Sequence, residues 1–89
     1  MNNKDQIKNI LTTLTHKRFK TKKDIKDYLQ AKLIDYKITL FYNTNDFPTI
    51  DYGIIGSIEN NDILCDFDIY FAKTRAREML ITEIGYEFQ

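Results

Sequence analysis

The sequence predicts an α+β domain in which two N-terminal helices pack on one face of a four-stranded antiparallel meander, a two-layer sandwich of order ααββββ. Three observations predict it. Apolar residues recur at the helical period of about 3.6 as far as Leu33. From Tyr36 onward the recurrence drops to 2, the side-chain period of an extended strand. The connections are short, which favours antiparallel neighbours.

The first helix rests on Ile7, Ile10, Leu11 and Leu14, which stand at i, i+3, i+4 and i+7 with Lys8 and Asn9 between them. Asn2 or Asn3 can cap its start. Thr12, Thr13 and Thr15 are β-branched and poor helix formers, so the helix is expected to end near Thr15 to Arg18. After the basic link His16-Lys17-Arg18-Phe19-Lys20, Thr21 with Asp24 three residues on approximates a capping box and opens a second helix. Ile25, Tyr28, Leu29 and Leu33 line one side of that helix, and its end is expected near Leu33 to Asp35.

A first strand is read from Tyr36 to Tyr42. The loop Asn43 to Thr49 holds turn-favouring residues and the one proline, Pro48, and a second strand follows from Ile50 to Ile58. Gly53 and Gly56 mark that strand as a bulge or an edge. Glu59 to Asp62 is a tight turn, assigned to the tolerance of Asn for positive φ. In the central strand, Ile63 to Phe71, one side carries Ile63, Cys65, Phe67, Ile69 and Phe71 and the other Leu64, Asp66, Asp68 and Tyr70. Lys73 to Arg77 forms a basic connection. In the last strand, Glu78 to Phe88, the residues Leu80, Thr82, Ile84, Tyr86 and Phe88 fall on one side.

Eighty-nine residues are enough for one domain, 1–89, since a second core needs roughly 50 more. The lone Cys65 has no partner for an internal disulfide or a multi-cysteine zinc site, which points to a reducing compartment. The opening MNNKDQIKN lacks an apolar run of signal-peptide length, and nowhere are there about 18 consecutive apolar residues, so a cytoplasmic protein without a membrane span is expected. Net charge is zero, yet residues 1–37 hold ten Lys or Arg against four Asp, and residues 38–89 hold three against nine Asp or Glu. The chain is therefore a charge dipole in sequence, +6 followed by −6.

That split defines the candidate sites. In the leading reading the chain is a non-enzymatic module that binds nucleic acid. Lys17, Arg18, Lys20, Lys22 and Lys23 of the link and second helix, with Arg75 and Arg77 of the late basic loop, contact phosphates, and some of the six Tyr and six Phe stack on bases. In the alternative it binds a protein partner, as a small inhibitor or accessory subunit, through the open sheet face bearing Asp66, Asp68, Tyr70, Glu83 and Glu87. A free sheet edge can also close a homodimer. His16 has no second ligand nearby, and Cys65, on the apolar side of its strand, is read as a small hydrophobe, so neither metal nor cofactor is expected.

A third reading starts from Asp66-Phe67-Asp68, two carboxylates on one side of a strand, with Gly56-Ser57 upstream. This spacing resembles the Gly-Ser … Asp-x-Asp signature of minimal nucleotidyltransferases. The resemblance implies magnesium on Asp66 and Asp68, nucleotide phosphates at Gly56-Ser57, and a third carboxylate, for which Glu83 is available. It covers about 13 residues, and the helix start that the family places at its Gly-Ser is replaced here by a strand end and a turn.

Overall fold

A computed structural model of the chain describes residues 3–43 and 52–89. Over them the chain runs α1 (Asn3–Thr13), β1 (Arg18–Phe19), α2 (Lys22–Lys32), β2 (Lys37–Asn43), β3 (Tyr52–Glu59), β4 (Leu64–Lys73) and β5 (Met79–Phe88). The strands make one curled antiparallel sheet in the order β1-β5-β4-β3-β2. The expected meander is present as β2 to β5. The difference is a fifth strand, β1, which turns ααββββ into αβαββββ. Two residues of the basic link pair with the start of β5, Arg18 opposite Leu80 and Phe19 opposite Met79. Hydrogen bonds from His16 N to Ile81 O, 2.8 Å, and from Ile81 N to Lys17 O, 3.0 Å, extend the contact. A two-residue strand carries no periodicity, so local pattern gave no sign of it.

Both helices form for the reasons their sequences carry. In α1, Ile7 and Leu11 are buried, with Leu14 just beyond the helix end. The helix stops at Thr13, slightly before the expected end. There the hydroxyls of Thr12 and Thr13 donate to the carbonyls of Lys8 and Ile10, at 2.8 and 2.6 Å. The capping box of α2 is complete: Asp24 N donates to Thr21 Oγ1 at 3.1 Å, and Thr21 N to Asp24 Oδ2 at 3.2 Å. Leu33 closes α2, its N–H bonded to Leu29 O at 2.9 Å.

Strand alternation decides which side of the sheet the helices cover. On β4, Cys65, Phe67, Ile69 and Phe71 are buried while Asp66 and Asp68 are exposed, as the alternation predicts. Ile7, Leu11, Leu14, Ile25, Leu29 and Leu33 from the helical region meet Ile38, Leu40, Ile54, Ile58 and the β4 residues in one core.

The glycine expected to mark an edge or bulge in β3 does something else. β3 is interior, and Gly56 stands opposite Phe67 of β4 and Leu40 of β2. A Cβ built there would lie 2.5 Å from the Phe67 ring, 2.7 Å from the Leu40 side chain and 2.7 Å from the Thr39 carbonyl oxygen. The missing side chain is the space the ring fills. The loop expected at residues 43–49 lies outside the described residues, except that Asn43 ends β2.

One turn and the register of β5 also differ from expectation. The Asn60 turn does not use positive φ, which among described non-glycine residues occurs only at His16 and Arg77. Instead Asn60 Oδ1 accepts from Asp62 N and Ile63 N at 2.8 and 3.0 Å, an Asx turn. In β5 the expected face is half right. Phe71 stands opposite Ile81 and Tyr70 opposite Glu83, so Thr82 is an extra residue, a β-bulge. Its hydroxyl donates to Tyr70 O at 3.1 Å. Before the bulge Met79 and Ile81 point inward, not Leu80 and Thr82; after it Ile84, Tyr86 and Phe88 share the inner side, as expected.

Gly56→Ala is expected to destabilise the fold by about 1 to 3 kcal/mol through overpacking against backbone and ring. Gly85, whose added Cβ would meet nothing within 4 Å, serves as the control: Gly85→Ala should be neutral or stabilising by up to about 1 kcal/mol. Urea denaturation of both variants checks the contrast, and equal losses at the two sites would refute it.

Candidate nucleic-acid interface

β1 brings the two basic segments to one end of the sheet. Phe19, Met79 and Lys73 form a row across β1, β5 and β4, because Met79 pairs with both others. The Lys20 end of the link is thus nearest the β4–β5 connection that holds Arg75 and Arg77, while Arg18 and Lys17 lie along β5 at Leu80 and Ile81, and all five basic residues are exposed. The connection is a tight turn. Arg77 N donates to Thr74 O at 2.9 Å, Thr74 N to Glu78 O at 2.9 Å, and Glu78 N to Thr74 Oγ1 at 3.1 Å. Arg77 holds φ 62 and His16 in the link holds φ 69, a left-handed backbone that glycine adopts without strain.

Lys22 and Lys23 stand in the first turn of α2, where the helix dipole disfavours cations. Asp27, one turn on, takes a hydrogen bond from Lys23 Nζ at 2.7 Å, and this bond and its charge hold the ammonium above the ordinary lysine range. Lys17 Nζ lies 5.3 Å from the Tyr28 ring centroid, and Lys73 Nζ 5.7 Å from that of Phe71. The aromatic residues near this end are engaged: Phe71 is buried, and Phe19 packs edge to face on Tyr28 at 5.8 Å between centroids. Among the described residues the exposed large aromatics are Phe41 and Tyr86. Phe19 and Tyr28, the rings nearest the basic end, are half-buried.

The alternative set lies together on the outer, uncovered side of the sheet. Asp66 stands opposite Glu87 and Tyr70 opposite Glu83, with Asp68 between them opposite Gly85. Gly85, having no side chain, leaves a hollow of about 250 Å³ bordered by Ile55, Asp66, Asp68 and Glu87. Gln89 Nε2 donates to Asp66 Oδ2 at 2.8 Å. Beside this acidic area, Phe41 and Ile55 are register partners and remain 61% and 39% exposed, an apolar pair that alternation alone did not single out. The sequence dipole thus becomes a separation of layers: the helical layer is rich in lysine, and the outer sheet face is rich in carboxylates.

The nucleotidyltransferase resemblance fares differently. Gly56 and Ser57 are inside β3, with Ser57 opposite Asp66, and no helix starts there. The carboxylate opposite the pair is Glu87; Glu83 stands opposite Tyr70. Among the described residues no group of three or more His, Cys, Asp or Glu is placed to hold a metal ion, and no helix is long and apolar enough to cross a membrane.

Cys65 is fully buried, and burial pushes its thiol up to about 11 from 9.0. Its thiolate, the reactive form, is thus suppressed in the folded chain. No family model, curated protein or solved structure matches the chain.

The Cys65 shift has a definite sign. The unfolded thiol loses its proton near 9 and the folded one near 11, so folding stability declines as pH rises between those values. The loss should reach about 1 kcal/mol by pH 10. Tyr36, also raised by burial, adds a decline in the same direction at higher pH. Urea midpoints at pH 8 and pH 10 test this, because the pH-dependent drop should shrink in Cys65→Ala.

Proposed function

We propose that the chain is a small binding module, without catalytic chemistry of its own, that engages nucleic acid through the basic end of its sheet. The observation that carries this reading is the β1–β5 pairing. It brings the link that carries Lys17, Arg18 and Lys20 against the start of β5, which follows the turn that carries Arg75 and Arg77, although the two segments are more than fifty positions apart in sequence. A solvated lysine face needs no such convergence, whereas a phosphate backbone is recognised by several cations in one area. Lys22 and Lys23 at the start of α2 continue the same set. Because the neighbouring rings are engaged in the core, recognition is assigned to charge on phosphates and not to stacking. The binding is accordingly sequence-tolerant.

Arg77 adds a second support. A basic residue occupies a backbone conformation in which glycine costs least, at the closing position of the basic turn. Such a choice sacrifices stability for a side chain that something outside the fold requires.

The protein-partner reading keeps one specific observation in its favour, the exposed Phe41–Ile55 pair next to Asp68 on the outer face. Apolar residues rimmed by charge are the usual composition of a protein interface.

Fluorescence anisotropy with labelled oligonucleotides over a salt series separates the two. Wild type should bind at low salt. The double variant Arg18→Ala with Arg75→Ala should flatten the salt slope by about 0.9 for every duplex phosphate that it no longer neutralises. No binding at low salt would end the nucleic-acid reading. Arg77→Gly should weaken binding while leaving stability unchanged or raised by up to about 1 kcal/mol. A loss of stability in that variant would show that Arg77 serves the fold.

A further inference from the structure

The residues bordering one groove identify it as the edge of the sheet. A slot of about 460 Å³ lies between α2 and β2, and its β2 wall is made of the consecutive residues 37–40. Successive side chains of a strand point to opposite faces, so four in a row can border one groove only along the strand's edge, where the peptide groups lie. Among the described residues β2 has a strand neighbour on one side only, β3. The opposite wall is Lys22, Lys23, Lys26 and Gln30 of α2, and Lys37 stands at the start of the edge.

We propose that this slot receives an extended acidic segment of a partner protein, added to the sheet as a sixth strand beside β2. The two walls ask for different things, and one kind of ligand supplies both. The strand edge offers alternating N–H and C=O groups, which a second peptide backbone matches in kind. Lys26 on the helix wall and Lys37 at the start of the edge offer ammonium groups, which carboxylates neutralise. A segment with acidic residues at every second position turns its carboxylates to one side, toward Lys26 and Lys37. Nucleic acid satisfies the lysines but has no backbone N–H donors to alternate with those of β2. A second copy pairing its own β2 here would bring lysines against lysines.

The slot shares Lys22 and Lys23 with the proposed nucleic-acid surface, and Lys26 and Lys37, which are not in that set, tell the two apart. The test titrates the isotope-labelled chain with a short peptide alternating Glu and Thr, followed by the amide resonances of Lys37 to Leu40. Parallel titrations use its Lys-for-Glu counterpart, a form N-methylated at alternate positions, and a short oligodeoxynucleotide. The acidic peptide should shift the β2 resonances and the Lys-for-Glu peptide should not. N-methylation should weaken binding about tenfold or more, as should Lys26→Glu with Lys37→Glu. Both substituted side chains are exposed, and an unchanged melting temperature excludes loss of fold as the cause. Arg18→Ala with Arg75→Ala should leave peptide binding unchanged. The proposal is overturned if the acidic peptide leaves β2 unperturbed, or if the N-methylated form binds as well as its parent. It is equally overturned if the oligonucleotide, and not the peptide, is what Lys26→Glu with Lys37→Glu releases, for the slot is then part of a phosphate track.

Discussion

The seating of Phe67 on the backbone of Gly56 is the constraint on which the rest depends. The ring takes the volume that any side chain at 56 would need, with Leu40 pressed against the same point from β2. Three neighbouring strands are thereby held at one depth. Because strand side chains alternate, holding Phe67 inward holds Cys65, Ile69 and Phe71 inward too and turns Asp66 and Asp68 out. The helices then have a continuous apolar floor to cover. A slip of one residue between β3 and β4 would exchange the buried and charged sides of the central strand at a cost no helix contact could offset.

Much of this was readable from local pattern, because most of its determinants are local. The stripe Ile7, Leu11, Leu14, the capping box Thr21–Asp24 and the alternation from Cys65 to Phe71 each depend on residues within a few positions of one another. What was hidden depends on distant partners. β1 exists because the link lies against β5, and nothing in Arg18-Phe19 itself requires extension. The inward phase of Met79 and Ile81 is set by a bulge, which leaves no mark in the alternation beyond its own residue. Gly56 looked like a weakness in a strand because Phe67, its reason, lies eleven positions away across a tight turn.

The candidate sites divide in the same way. That the early half is basic and the late half acidic was plain from composition, and so were the residues concerned. Their arrangement was not. Strand pairing brings the link holding Arg18 against the start of β5, sets Asp66 opposite Glu87, and puts Lys37 on an edge facing the lysines of α2. Of these, only the Lys22–Lys26 spacing within α2 could have been noticed beforehand, since i and i+4 share a helix face. The resulting molecule presents a cationic end and a lysine-walled edge that meet at Lys22 and Lys23, with an anionic outer sheet on another part of its small surface.

The extra residue at Thr82 carries a consequence for how this chain tolerates changes in length. Upstream of it, β5 is in phase with Phe71; downstream, it is in phase with Ile69 only because one position has been spent without advancing along the partner. A chain lacking residue 82 would close into an unbroken ladder, with Ile81 still opposite Phe71 and Glu83 still opposite Tyr70. The bulge is therefore slack, and by straightening out it can absorb one missing codon in the middle of β5. An added codon has no such outlet, since it would carry Glu83 and Glu87 toward the greasy interior unless a second bulge formed. Length variants of this strand in evolution should accordingly run shorter and not longer, and the exposed threonine, ordinary when counted as a surface residue, is where they should shorten.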